Sequence, residues 1–141
     1  MKDMQPYKTF EHTADIGIQA HGASLVEAFA HAARGMFSLM VDGSHIEPRE
    51  EREIELPVEG DREQLLVDWL SELLYLRDVE GLVFGDFQVS IGEETLRATV
   101  RGEPYSRERH AYGREIKAVT YHLLEIKRTK KGVYIKVLFD I

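Results

Sequence analysis

A chain of 141 residues, 43% hydrophobic and 30% charged, has the size and composition of one soluble globular domain with a real core. It contains no cysteine, which excludes disulfides, thiolate metal sites and cysteine nucleophiles and leaves oxygen and histidine nitrogen as metal ligands. The net charge of −7 argues against the chain holding nucleic acid by itself, because phosphate binding needs a basic footprint.

In chain order, YKTFEH reads as a first strand and IGIQAH as a second. The second puts Ile16, Ile18 and Ala20 on one face and Asp15, Gly17 and Gln19 on the other. Ser24-Leu25-Val26-Glu27 is a capping box, in which hydroxyl and carboxylate satisfy opposite orphan amides of a helix start. Leu25, Phe29, Ala32, Ala33, Met36, Phe37 and Met40 then recur at spacings of three and four, predicting a helix that stops at Asp42-Gly43. EREIELPV alternates as a third strand. Asp61, with Gln64 three residues on, caps a second helix that runs to about Glu80.

LVFGDFQVSI and LRATVRGE predict a hairpin around Gly92-Glu93-Glu94. REIKAVTYH fits either a strand or a short helix. HLLEIKRT and GVYIKVLFDI predict a last hairpin through Lys130-Lys131-Gly132. Two helices and about seven strands, with no linker or repeat, make a single α+β domain over residues 1–141. Its expected architecture is a mostly antiparallel sheet with the two helices packed on it.

No apolar run approaches the ~20 residues of a membrane span, and MKDMQPYK lacks the features of a signal peptide, so the expected location is cytoplasmic. The charge is uneven. Arg101, Arg107, Arg109, Arg114 and Lys117 face only Glu103, Glu108 and Glu115, and a second basic knot holds Lys127, Arg128, Lys130 and Lys131. A solvated hairpin tip is the expected reading of that second knot.

Aspartate is a poor strand former, yet Asp15 and Asp140 each sit at or near the end of an apolar strand. Val133, Ile135, Val137, Phe139 and Ile141 share one face, so Asp140 points the other way, within reach of the terminal carboxylate. Oxygen clusters of this kind bind hard cations, and like charges that close repel without a cation or arginine between them. On spacing alone the plainer reading comes first: Asp15 caps a turn and Asp140 is a solvated end. Glu72 lies on a stripe with Leu65, Trp69 and Leu76, where a carboxylate is costly to ionise unless it leans into water. Lys117 either pairs with an acidic residue or projects towards a partner's phosphate or carboxylate. The six histidines form no compact zinc spacing, and the chain has no GxSxG, P-loop or GxGxxG.

Five segments in this order resemble the archease family: HTADIGIQAHG, LVEAFAHAARGMFSLMVD, LLVDWLSELLY, RGEPYSRERHAYGREIKAVTYH and VLFDI. HTADIGI, EIKAVTYH and the final FDI are the specific parts, and the likeness covers nearly the whole chain. The resemblance implies an accessory protein, not a free-standing enzyme: an activator of the RtcB-type RNA ligase that joins tRNA exon halves. It implies promotion of ligase guanylylation by GTP and a divalent metal, restored multiple turnover and broader nucleotide use. It further implies a divalent, calcium-like metal site at Asp15, Asp140 and the main chain or terminus of Ile141. Glu72 and Lys117 match other functionally important positions, and His110 and His122 lie in the same motif stretch. Family members often carry an acidic residue two places after the Gly102-Glu103 pair, which this chain lacks, so no role is transferred there. No direct nucleic-acid or membrane partner is expected.

Two other classes compete. One is a stand-alone metal-dependent phosphoesterase with Asp15 and Asp140 as ligands and Glu72 as base, which predicts turnover by the pure protein. The other is a chaperone or modulator of an RNA-modifying methyltransferase, an activity also proposed for the family, whose effect would not depend on Asp140.

Overall fold

The computed structural model describes residues 6–12, 15–42 and 45–141, with His12 by its backbone alone. The first five residues, Thr13-Ala14 of the HTADIGI motif and Gly43 of the expected helix stop lie outside the described residues.

The period-two pattern near the start gives β1 (Tyr7–His12) and β2 (Asp15–Gly22). Ser24 then caps α1 (Leu25–Met40): its hydroxyl accepts the Glu27 amide at 3.3 Å, while the Glu27 carboxylate reaches back to the amide of Ala23. The reciprocal cap predicted by the sequence is present, with its return leg one residue further out. β3 (Glu50–Pro57) leads to α2 (Arg62–Glu80), which Asp61 caps by accepting the Gln64 amide at 2.9 Å. Gly81, at a φ of 71°, closes that helix in the left-handed conformation glycine tolerates.

β4 (Leu82–Ile91) and β5 (Thr95–Pro104) form one hairpin, and β6 (Ala118–Thr129) and β7 (Gly132–Asp140) form another. The ambiguous REIKAVTYH stretch is therefore strand only from Ala118 onward; Arg114 to Lys117 are loop. All strand pairs are antiparallel and fall into two sheets, ordered β1-β2-β7-β6 and β3-β5-β4. α1 packs on β2 of the first sheet and β4 of the second, and α2 on β6 and β4, so the helices bridge the sheets.

Aromatic side chains fill the space between. Phe37 meets Phe84 edge-on at 5.7 Å between ring centres, and buried Trp69 donates its ring N–H to the Phe29 carbonyl at 3.0 Å, tying α2 to α1. The last carbonyls of α1 are satisfied by a distant loop: Arg114 donates to Leu39 O at 2.7 Å and Gly113 to Met40 O at 3.0 Å. Gly113 is required for that approach, because a Cβ there would lie 2.0 Å from Leu39 O. Among the described residues no helix is long and apolar enough to cross a membrane.

Candidate functional site

β2 and β7 are neighbours, and their register sets Asp15 directly opposite Asp140. Residues opposed in this way have Cβ atoms about 5 Å apart, and two like charges so placed destabilise the ladder. On its other side β7 pairs with β6, where Asp140 faces Ala118. The preceding residue, Lys117, donates its amide to Asp140 O at 2.8 Å. One end of three adjacent strands thus carries Asp15, Asp140 and Lys117 together. Asp15 is half-buried and Asp140 exposed. Ile141 is half-buried, and its side chain packs on the core.

Lys117 is exposed, but its backbone is anchored. Arg77 of α2 donates to the carbonyl of Ile116 at 2.9 Å and also reaches the sulfur of Met40. Ile116 itself is fully buried. Among the described residues the ammonium of Lys117 has no carboxylate partner. Glu72 projects from α2, the helix that packs on β6. It is half-buried and without an ion pair among the described residues, and burial pushes its carboxyl above the ordinary range.

The same elements expose apolar side chains. Tyr75 and Val79 lie three and seven residues beyond Glu72 on α2, 58% and 61% exposed. Between Thr120 and Glu125 the register of β6 against β7 shifts, and the bulged strand turns out Tyr121 and Leu123. Leu123 has a φ of 57°, a left-handed conformation that leucine rarely adopts.

The two histidines of the motif stretch differ. His122 is exposed within the bulge. His110 is buried: its Nδ1 accepts the Ser106 amide at 2.9 Å, which leaves the proton on Nε2 to donate to Glu103 at 3.0 Å. Glu103 is equally buried and also accepts from the Glu47 amide and from Arg109, each at 2.8 Å. Burial alone would raise its carboxyl, but the Glu47 amide, His110 and Arg109 outweigh that and hold it at about 2. Sequence reasoning missed this cluster. A glutamate between glycine and proline gives no sign of burial, since only tertiary contacts supply its partners.

Among the described residues no group of three or more His, Asp or Glu side chains is arranged to hold a metal ion. The Asp15–Asp140 pair therefore offers two side-chain ligands. Main chain, terminus, water or a partner would have to complete a hard cation's six to eight oxygen positions.

Fold and site together define a small α+β protein, two antiparallel sheets bridged by two helices, with an acidic pair and an anchored lysine at one strand end. Residues 7–141 match the model of the archease protein family (MTH1598/TM1083), and the chain belongs to that family. It is 46% identical over 134 residues to the archease of Thermococcus gammatolerans, covering 92% of this chain and 93% of the relative. The solution structure of protein 1598 of Methanobacterium thermoautotrophicum superposes with a TM-score of 0.84 at 39% identity, covering 98% of this chain and all of that one. The crystal structure of a Thermotoga maritima archease, described as a possible chaperone, gives a TM-score of 0.66 at 29% identity, with both chains fully covered.

Proposed function

We propose that this protein is an accessory factor of an RtcB-type tRNA-splicing ligase, promoting its guanylylation and turnover from the strand end that carries Asp15, Asp140 and Lys117. The observation that carries the reading is the register that opposes the two aspartates beside an anchored lysine. Two opposed carboxylates are hard oxygen donors and suit a divalent cation, calcium being the one the family resemblance implies, with Ile141 contributing main-chain or terminal oxygen. A bound cation there would offset the repulsion of two carboxylates opposed across the ladder. Lys117, held by its backbone and with its ammonium unpaired among the described residues, is available to nucleotide phosphate or an acidic group of the ligase. Glu72, whose carboxyl burial pushes above its ordinary range, sits beside Tyr75 and Val79 on a face whose exposed apolar groups suit a protein partner.

The test is ligase guanylylation with and without this protein, in calcium and after chelation. Asp15→Ala and Asp140→Ala are expected to abolish stimulation while melting close to the parent. Stimulation undiminished in both variants discards the reading. The name given to the Thermotoga relative favours a second one, a chaperone, in which ligase solubility improves equally with the parent and with Asp140→Ala. Phosphate-ester turnover by the pure protein would point instead to a stand-alone phosphoesterase.

A further inference from the structure

The two basic stretches of the chain are neutralised to different degrees. In the first, Arg101 pairs with Glu51 and Asp86, Arg109 with Glu103, and Arg114 with Glu11, while Arg107 and Lys117 have no ion pair among the described residues. In the second, Lys127 pairs with Glu125, while Arg128, Lys130 and Lys131 have no ion pair among the described residues. These cations surround the turn between β6 and β7, against which β2 ends and α1 begins. Gly132 sits so close to Gly22 there that a Cβ would come within 2.1 Å of the Gly22 carbonyl.

A recess of about 400 Å³ opens at that junction, lined among others by Glu27, His31, Arg34, Thr129 and Lys131. Glu27, His31 and Arg34 follow at four and three residues, so they form one stripe of α1, while Ala28, Ala32, Ala33 and Gly35 beside them turn into the core. His31 Nδ1 lies against the His21 carbonyl oxygen, which puts a proton on that nitrogen and leaves Nε2 without a partner among the described residues. Arg34 is exposed and likewise unpaired. The carboxylate of Glu27 is already engaged by the Ala23 amide in the helix cap. Burial first, then the charges of Lys8 and Lys131, act against protonation of His21, so a cation stands on the β1 side as well. In a chain with 25 acidic and 18 basic residues, unpaired cations around one recess are a local reversal of the field.

We propose that this recess binds a phosphate oxyanion between the guanidinium of Arg34 and the ammonium of Lys131. Arginine presents a planar fork that matches two phosphate oxygens, and lysine adds a point charge from the opposite wall. The volume lies within the range of small-ligand pockets and exceeds what a single phosphate needs. His21 is six residues along β2 from Asp15, so the recess lies roughly 20 Å from the aspartate pair, at the other end of the sheet. The phosphate could belong to a free nucleotide or to an RNA backbone; the chemistry of recognition is shared.

The test titrates inorganic pyrophosphate into the full chain by calorimetry, and follows the amide shifts of His31, Arg34 and Lys131. Saturable binding is expected, weakened about tenfold or more by Arg34→Glu and by Lys131→Glu, both exposed positions whose change leaves the core untouched. Arg97→Glu, a charge change of the same size on the other sheet, is expected to leave the affinity unaltered. GTP binding as tightly as pyrophosphate assigns a free nucleotide. Binding of single-stranded RNA that strengthens with length and falls steeply with salt assigns the backbone. No saturation by pyrophosphate, or equal loss in all three variants, overturns the proposal. The assay contains no ligase, so failure here leaves the accessory-factor reading standing.

Discussion

Glu72 and Glu103 are two carboxylates that burial treats alike and surroundings treat oppositely. Glu72 has no compensating donors among the described residues and moves upward; Glu103 has three strong ones on a single oxygen and is held at about 2. The folded state therefore favours the ionised form of Glu103 relative to the free value of 4.5. Its stabilising contribution is complete above about pH 4.5 and is lost as pH falls through about 2. Glu103→Gln is expected to cost about 1–3 kcal/mol at neutral pH, because His110 and the Glu47 amide lose an anionic acceptor while Arg109 and Arg49 can turn to water. Urea titrations should show the parent losing its advantage over the variant between pH 4.5 and 2. A constant gap across that range would assign the acid sensitivity to other groups.

The loop between β5 and β6 has no regular structure, yet it is held at each step. His110 fastens it to Glu103, Gly113 and Arg114 to the end of α1, and Arg77 to Ile116. Gly113→Ala must push the loop off Leu39 O, with an expected loss of about 1–3 kcal/mol. Because the loop delivers Lys117, ligase stimulation should fall in the same variant; full stimulation with lowered stability would show that Lys117 does not depend on this anchor. Helix caps, hairpin glycines and the period of each strand were readable in the sequence, since all are local. The loop's anchors were not, because each partner lies on another element. The same limit explains why Asp15 and Asp140 could be placed at strand ends but not opposite one another: alternation fixes a side chain's face, never its neighbour across the ladder.

At the scale of the whole molecule, alternating strands and two amphipathic helices predicted an α+β domain, and the partition into two sheets became visible only in the pairing. β3 pairs with β5, not with the preceding strand, and β7 inserts between β2 and β6. Such choices rest on the total burial of both sheets against α1 and α2, which no single segment encodes. Any cation shared by Asp15 and Asp140 finds its site in the folded chain alone. Calcium at a hundred times its dissociation constant should therefore add about 2.7 kcal/mol of stability, read as a rise in melting temperature. The rise should vanish in Asp15→Ala and Asp140→Ala; an equal rise in both variants places the ion elsewhere.

Nearly the entire sequence lies between these two carboxylates, so their union closes the longest loop in the fold. Loop closure of that span is entropically unfavourable, and non-local pairings of this kind slow folding. An ion clasped there would act as a removable rivet. Chelation should quicken unfolding far more than it slows refolding.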